Sequence, residues 1–270
     1  MTLFTRSQLI RQWLPGTLGV VGALVLGACG GAPSTESTTV TTDTATGDTT
    51  LVVATEPAFP PFESQAFDGS LEGFDIDLMN AIGEAAGFTV EFESLPFDGI
   101  IPALQAGTID AAISAMTITP ERAETVSFSR PYFKAGLAIA VQDSTTDVTS
   151  LESLEGKRIA AQIGTTGASK ANEIPGAEVR TFDSAPLALQ ELSNGNVDAV
   201  INDAPVTLYA IKEGGLTGLK VTGELLTEEF YGIAIPKDSE NVALINEGLT
   251  TINELPRRKR TGYQNQKRAS

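Results

Sequence analysis

The chain has 270 residues, 41% of them apolar, which leaves room for two lobes of about 100 residues each after an N-terminal segment unlike domain sequence. Between Cys29 and Pro256, ten basic residues are outnumbered by 34 acidic ones, and the net charge of −24 repels phosphate backbones, so no nucleic acid is expected as a partner. The chain has no histidine, and Cys29 is its only cysteine; this excludes histidine-dependent triads, histidine-ligated zinc and paired-cysteine redox chemistry, and neither a metal nor a cofactor is expected.

The first 28 residues have the pattern of an export signal. Arg6 and Arg11 precede an apolar run at 14–26, and small residues follow. The run is too short to span a bilayer comfortably. It ends in Leu26-Gly27-Ala28-Cys29, which resembles a bacterial lipobox, so residues 1–28 are predicted to be a lipoprotein signal peptide and Cys29 the lipidated N-terminus that anchors the protein to a membrane. The alternative is a plain signal peptide with an incidental cysteine.

Residues 29–50 are rich in threonine and serine. From residue 32 onward this segment contains only Val40 as a large apolar side chain. Such a composition cannot bury enough apolar surface to offset the entropy of ordering. The segment is therefore predicted to be a tether between the anchor and a folded domain.

From residue 51 the pattern is that of alternating strands and helices. The apolar run at 51–55 predicts a buried parallel strand. Residues 73–87 predict a helix with Asp75 as its N-cap and Gly87 as its stop, and Asp75 and Asp77 complement the helix dipole in the first turn. Further strands are predicted at 88–94, 111–114, 136–141, 158–162, 178–182, 199–202 and 231–235.

Two segments, 102–115 and 187–203, repeat one pattern. In each, a helix stops at a glycine, and three residues later an aspartate, Asp110 or Asp198, opens a short buried strand. In open α/β sheets, ligands bind beyond the carboxyl ends of the strands. Two lobes that present these ends to each other would enclose a cleft and close on a ligand by hinge motion. The two aspartates lie at the opposite ends and are predicted to be structural.

Six blocks carry a resemblance to a known family: LVVATEPAFPPFE, GFDIDLMNAIGEAAG, FDGIIPALQAGTIDAAISAMTITPERAETVSFSRPYF, LEGKRIAAQIGTTG, NVDAVINDAP and YGIAIPKDS. In this order, over residues 51–253, they resemble the solute-binding proteins of polar amino-acid ABC importers, such as the glutamine-binding and lysine/arginine/ornithine-binding proteins. The resemblance implies an α/β fold of the type II periplasmic-binding class, with two lobes joined by two hinge strands. The implied ranges are lobe 1 at 51–138 and 232–256, lobe 2 at 139–231, and hinge strands near 136–142 and 228–236.

Arg122 is the first candidate for ligand binding. Within TITPERAE, Thr119 is predicted as a helix N-cap and Pro120 as the first helical residue. A guanidinium matches a carboxylate with two parallel hydrogen bonds, and a helix start adds amide donors. By resemblance, Arg122 and the backbone amide of Thr117 bind the α-carboxylate of an amino acid. From spacing alone, Arg122 could equally be a solvated charge on a surface helix.

Asp203 is the second candidate, because it follows a buried strand, DAVIND, and so reaches the cleft. By resemblance it pairs with the ligand's α-ammonium, together with the carbonyl of Ser114 and the hydroxyl of Thr117. The alternative is an N-cap of the helix that follows.

Thr165 and Thr166, in IGTTG, are candidates for holding the carboxylate from the second lobe, although an ordinary turn is the alternative. The remaining predicted ligand-binding residues match positions that line the pocket in the family: Glu56, Phe59, Phe97, Ala115, Gln162 and Asn202. Glu56 favours a polar or basic ligand side chain, whereas the two phenylalanines could instead be core residues. Glu228 and Glu229 are predicted to be solvent-exposed.

The resemblance implies a monomeric extracytoplasmic protein, in the periplasm or at the cell surface. It would bind a free amino acid such as glutamine, arginine or lysine and deliver it to the permease subunits of an ABC importer, with no catalysis of its own. Two alternatives remain: a dehydratase-like enzyme on the same fold with Glu56 as acid and base, or the ligand-binding module of a sensory system. Which amino acid and which importer are left open.

The C-terminal end departs from the family pattern. Family members usually end with a helix that contains a Gly-Thr-Tyr segment and a Trp-Phe pair and docks on the first lobe. Here the sequence is INELPRRKRTGYQNQKRAS, and residues 257–270 are predicted to be a divergent basic tail or the result of a reading-frame change. Without that docking helix, some surface of the first lobe would be uncovered.

Overall fold

The computed structural model describes residues 49–254. The predicted signal peptide (1–28), the lipidation of Cys29, nearly all of the tether (29–50) and the basic tail (257–270) lie outside the described residues. Within the described range, no helix combines the length and apolar character needed to cross a bilayer.

Strands and helices alternate along the described chain, as predicted. The strands are β1 (Thr49–Thr55), β2 (Ala58–Phe59), β3 (Glu63–Gln65), β4 (Leu71–Glu72), β5 (Phe88–Ser94), β6 (Ala111–Ala112), β7 (Val126–Phe128), β8 (Phe133–Ala135), β9 (Leu137–Gln142), β10 (Arg158–Gln162), β11 (Glu178–Phe182), β12 (Ala199–Asp203), β13 (Leu219–Thr222), β14 (Glu229–Tyr231) and β15 (Ala234–Pro236). The helices are α1 (Phe74–Ala86), α2 (Phe97–Ala106), α3 (Pro120–Thr125), α4 (Thr166–Asn172), α5 (Ala185–Ser193), α6 (Ala204–Lys212) and α7 (Asn241–Glu254).

Two five-stranded sheets share one topology, and each is the centre of a lobe. Their orders are β5-β1-β6-β15-β7 and β11-β10-β12-β9-β13, and in each the fourth strand runs antiparallel to the other four. The first three strands of each order belong to equivalent units, β1-α1-β5-α2-β6 and β10-α4-β11-α5-β12. The carboxyl ends of the parallel strands are the positions where ligands bind in such sheets. The predicted fold of two α/β lobes is confirmed.

The internal repeat predicted from sequence is visible in the hydrogen bonds of the two lobes. Asp110 Oδ2 accepts from the amide of Val52 at 2.8 Å, and Asp198 Oδ2 accepts from the amide of Arg158 at 2.8 Å. Each aspartate thus joins the start of the third parallel strand to the first. The structural role predicted for both is confirmed.

The chain crosses between the lobes twice, through β8 and β14, which pair antiparallel with each other. The first hinge was expected near 136–142, but β9 pairs along its length with β12 and β13 and belongs wholly to the second sheet. The first crossing therefore lies just before that range, at β8. The second hinge falls as expected, but the strand predicted at 231–235 is split into β14 and β15 at Gly232, where an added Cβ would lie 2.7 Å from the side chain of Ile118.

Helix α1 ends as predicted and begins differently. Gly87 is its C-cap, in the left-handed region at φ 81°. Its N-cap is Gly73, so the prediction that Asp75 caps the helix is wrong. The carboxylate of Asp75 is instead turned into the protein, where it accepts from the amide of Ala115 and the hydroxyl of Tyr132. Burial of this side chain, rather than the helix dipole, accounts for its position.

Helix α7 packs across α1 and covers one face of the first lobe. Ile245 and Leu249 are buried in the same core cluster as Met79 and Ile82 of α1. Gly248 allows the helices to approach closely, because an added Cβ would lie 2.8 Å from Ile82. Part of the first lobe is thus covered by residues that precede the basic tail.

Candidate functional site

A cavity that opens to solvent lies where the strand ends of the two lobes meet. Nine of the twelve predicted ligand-binding residues line it: Phe59, Phe97, Ser114, Ala115, Thr117, Arg122, Thr165, Thr166 and Asp203. The other three, Glu56, Gln162 and Asn202, are buried outside this lining. The structure therefore brings residues from both lobes together in one cleft.

Arg122 enters the cleft from α3. Thr119 caps that helix by accepting from the amide of Arg122 at 3.1 Å, as predicted. The guanidinium donates to the carbonyls of Thr117 (2.7 Å) and Gly164 (3.0 Å), and it lies over the ring of Phe97, 5.4 Å from the centroid. Both hydrogen-bond acceptors are neutral, and no ion pair among the described residues includes this arginine. Its charge is available to an anion in the cleft.

Asp203 ends β12 and reaches the cleft from the second lobe. It occupies the N-cap position of α6, but its side chain makes no capping bond; it accepts from the hydroxyl of Tyr231 instead. The pKa of Asp203 is raised to about 7, mainly by burial and also by the charge of Glu229, against the opposing effects of the Tyr231 hydrogen bond and the charge of Arg122. A cation beside this carboxyl would favour its ionised form.

Glu229 is a residue of the site that the sequence analysis missed. It was predicted to be exposed, and that prediction is wrong, whereas its neighbour Glu228 is indeed largely exposed. Glu229 Oε2 accepts from the hydroxyls of Thr117 in the first lobe (2.6 Å) and Thr166 in the second (3.0 Å). Strand alternation could have revealed it, because Glu229 shares a buried face of β14 with Tyr231.

The loop after β6 has an unusual backbone. Ala115 has φ 45°, in the left-handed region that alanine rarely occupies. Its amide donates to Asp75 at 2.8 Å. The adjacent Ser114 hydroxyl accepts from the amide of Glu56 and donates to Glu63 at 2.9 Å. Two buried acids that were not predicted as site residues thus contact the residues that line the cleft.

Glu56 and Gln162 connect the lobes at the edge of the cavity. The Gln162 amide donates to Glu56 Oε2 at 2.7 Å. The pKa of Glu56 is raised to about 7. Burial is the main cause, the hydrogen bond from Gln162 opposes it, and the charge of Asp98 adds to it. Asn202 donates to the hydroxyl of Thr207 at 3.2 Å, so its amide is engaged within the second lobe.

The two threonines at the start of α4 differ in what their side chains offer. The Thr165 hydroxyl accepts from the amide of Ala168 and donates to the carbonyl of Gln162, so it is occupied by capping the helix. The Thr166 hydroxyl donates to Glu229. Contacts from Thr165 to a ligand would therefore involve its backbone.

Phe59 and Phe97 line the cavity and also belong to apolar clusters. Phe59 packs in one cluster with Ala185 and Val206 of the second lobe, and Phe97 packs in another with Ile100 of the first. Each phenylalanine therefore contributes both to the apolar core and to the wall of the cleft. The described part of the chain contains no group of three or more acidic, cysteine or histidine side chains arranged to hold a metal ion.

These features define a class of protein: two α/β lobes joined by two crossing strands, with a polar cleft that holds one free cation and one buried acid on opposite sides. A model of the family of bacterial extracellular solute-binding proteins, family 3, matches residues 51–260, and the chain belongs to that family.

Relatives and solved structures extend the comparison. The chain is 35% identical to the "Arginine-binding periplasmic protein" of Mannheimia haemolytica over 75% of this chain and 85% of the relative. It is 32% identical to a "Probable histidine-binding protein" of Neisseria gonorrhoeae over 91% of each. An ancestral arginine-binding protein bound to arginine is 45% identical, with a TM-score of 0.72 over 76% of this chain and 92% of that one. The same kind of ancestral protein bound to glutamine gives a TM-score of 0.73 over the same shares.

Proposed function

We propose that this protein binds a free polar or basic amino acid in the cleft and delivers it to the permease subunits of an ABC importer. One observation carries the proposal: Arg122 and Asp203, from different lobes, line a single cleft. A zwitterion of amino-acid size complements this pair of charges. The names of the relatives, which mention arginine and histidine, and the arginine and glutamine of the ancestral structures support the same class of ligand.

The proposed orientation follows from the position of each charge. The ligand's α-carboxylate pairs with the Arg122 guanidinium and with backbone amides of Thr117 and the start of α4, where the helix dipole also favours an anion. The α-ammonium pairs with Asp203 and the carbonyl of Ser114. The ligand side chain then extends along Phe59 and Phe97 toward Glu56 at the edge of the cavity.

Glu56 is the proposed determinant of side-chain preference. An ionised Glu56 would pair with the guanidinium of arginine or the ammonium of lysine, and a neutral Glu56 could exchange hydrogen bonds with the amide of glutamine. In the structure the Glu56 carboxyl accepts a hydrogen bond from the Gln162 amide. This engagement favours a binding role for Glu56 over the acid and base role that a dehydratase would require. We therefore propose binding without turnover, in keeping with relatives that are named as binding proteins.

We further propose that the protein acts outside the cytoplasm, anchored through lipid on Cys29, with residues 29–50 as tether. The proposed lobes are those predicted from sequence, 51–138 with 232–256 and 139–231, except that the boundary moves to 136 because β9 pairs only within the second sheet. The protein is proposed to act as a monomer. The lipobox-like sequence and the low apolar content of the tether support this arrangement.

Calorimetry with the twenty amino acids, ornithine and citrulline tests the function. We expect one or more polar or basic amino acids to bind, and expect Arg122→Ala to weaken binding by hundreds- to thousands-fold, because an unpaired buried carboxylate costs about 3 to 5 kcal/mol. Arg180→Ala is the matched control, since Arg180 is an exposed arginine that pairs with Glu178 on β11. Equal affinity in the wild type and Arg122→Ala would refute the site, and hydrolysis or elimination of a bound amino acid would refute the absence of catalysis.

A further inference from the structure

Two buried carboxyl groups, those of Glu63 and Asp75, lie behind the loop that follows β6. Each side chain has 0% of its surface exposed. Glu63 Oε1 accepts from the Ser114 hydroxyl at 2.9 Å, and Asp75 Oδ2 accepts from the Ala115 amide at 2.8 Å. The Asp75 amide also donates to the carbonyl of Phe62 at 2.9 Å. The two carboxyl groups therefore contact adjacent residues of one loop, and, in addition to burial, the negative charge of Asp75 raises the pKa of Glu63, as expected of close neighbours.

One oxygen of each carboxyl has no hydrogen-bond donor: Oε2 of Glu63 and Oδ1 of Asp75. Two ionised carboxylates at this separation would repel each other, and no ion pair among the described residues includes either one. Buried acceptors without a partner are costly. A single proton placed between the two carboxyl groups satisfies both of these oxygens and removes the repulsion.

The hydrogen bonds indicate which carboxyl holds the proton. Asp75 accepts from the amide of Ala115 and from the hydroxyl of Tyr132 at 2.7 Å, and both bonds stabilise its ionised form. Glu63 accepts only from Ser114. Burial raises the pKa of Asp75 to about 6, and burial together with the charge of Asp75 raises the pKa of Glu63 well above its usual value. The proton therefore belongs to Glu63.

Three other titratable groups surround the pair: Glu56, Tyr132 and Tyr231. The negative charge of Glu56 raises the pKa of Glu63 further. The tyrosines stay neutral, because burial raises the pKa of Tyr132 and Tyr231 above the ordinary value. None of these groups supplies a positive charge that would favour an ionised Glu63.

We propose that a neutral Glu63 donates a hydrogen bond to an ionised Asp75, and that this acid pair positions the ligand-binding loop by holding Ala115 in its left-handed conformation. Ala115 lies between Ser114 and Thr117, whose backbone groups are proposed to contact the amino acid, so the inference rests on the proposed function. Glu63 and Asp75 are positioning residues: they do not line the cavity, and they act through the loop.

Two isosteric substitutions separate the roles of the two acids, with arginine as the probe ligand in calorimetry. Glu63→Gln keeps a donor to Asp75 and cannot ionise, so we expect affinity within about twofold of wild type. Asp75→Asn turns an amide donor toward Glu63, which must then either ionise without a counter-ion or turn its own hydroxyl toward Ser114 and disturb that contact, so we expect at least about tenfold weaker binding. Asp77→Asn, an exposed neighbour on the same helix turn, is the control. The reverse order for the two acids, or equal tolerance of both substitutions, would overturn the proposal.

Two measurements on the free protein need no amino acid. Carboxyl carbon NMR of the wild type, assigned with Glu63→Gln and Asp75→Asn, should show that Glu63 loses its proton at a higher pH than Asp75; the reverse order would overturn the proposal. Hydrogen exchange of the Ala115 amide should be faster in Asp75→Asn and unchanged in Glu63→Gln and Asp77→Asn. Unchanged exchange in Asp75→Asn would overturn the positioning role. Failure of arginine to bind, with these results as expected, would count against the proposed function and leave the acid pair standing.

Discussion

Lowering the pH from 8 to 6 should weaken binding by an amount that depends on the charge of the ligand's side chain. Burial raises the pKa of both Asp203 and Glu56 to about 7 in the structure. Beside a ligand cation, each group must be ionised, because a neutral carboxyl cannot form the ion pair. Binding of arginine, which has two cations, then requires both groups to lose a proton, and binding of glutamine requires only Asp203 to do so.

The magnitude follows from the fraction of each group that is ionised. A group with a pKa of about 7 is about nine-tenths ionised at pH 8 and about one-tenth ionised at pH 6, so it lowers affinity about tenfold over this interval. Arginine should therefore bind about 100-fold more weakly at pH 6 than at pH 8, and glutamine about tenfold more weakly. The sign is that of a raised pKa: affinity is full above pH 7 and is lost as pH falls through it.

Calorimetry at both pH values, in two buffers with different ionisation enthalpies, measures affinity and released protons together. At pH 6 we expect nearly two protons released per arginine and nearly one per glutamine. In Glu56→Gln, the affinity for arginine should fall only about tenfold from pH 8 to pH 6, as it does for glutamine. This result would assign the second released proton to Glu56. An arginine affinity that is the same at pH 8 and pH 6, or binding without proton release at pH 6, would refute the reasoning about these two buried acids.

Glu229→Ala removes the acceptor that joins Thr117 to Thr166 across the lobes, so we expect about tenfold weaker binding, mainly through faster dissociation in stopped-flow measurements. Glu228→Ala, at the exposed neighbouring position, should match wild type, and equal effects of both substitutions would contradict the bridging role. Cys29→Ser should release the protein from the membrane fraction, and mass spectrometry of the wild-type mature chain should find diacylglyceryl on its N-terminal cysteine; an unmodified Cys29 in the mature chain would contradict the anchor.

The sequence predicts well those features that short-range patterns determine. Strands such as 158–162 and 178–182 were predicted with their exact bounds, because each lies between segments that contain glycine, proline or aspartate and favour turns. The start of α3 at Pro120, which places Arg122 in its first turn, was predicted from Thr119 and Pro120, whose capping roles depend only on spacing along the chain. The strand ends that form the cleft follow from the same alternation.

Features that depend on distant partners were not predictable in this way. Asp75 matches a helix cap in sequence, yet its carboxylate accepts from Ala115, 40 residues away. Glu229 follows another glutamate and resembles a surface position, yet its carboxylate accepts hydrogen bonds from the hydroxyls of Thr117 and Thr166, which are 112 and 63 residues away. An acidic side chain in a sequence carries no sign of whether tertiary contacts will bury it, and burial decides its role here.

Closure and ligand preference in this protein are proposed to have one electrostatic origin. In the structure, Arg122 donates to neutral carbonyls, Asp203 and Glu56 are buried, and none of the three forms an ion pair with another described residue. Such burial is costly unless a partner of opposite charge arrives. An amino acid supplies these partners only when both lobes contact it, so it stabilises the closed form over the open one by the same interactions that select it. A ligand that lacks either its carboxylate or its ammonium should therefore fail to close the cleft, and not merely bind more weakly.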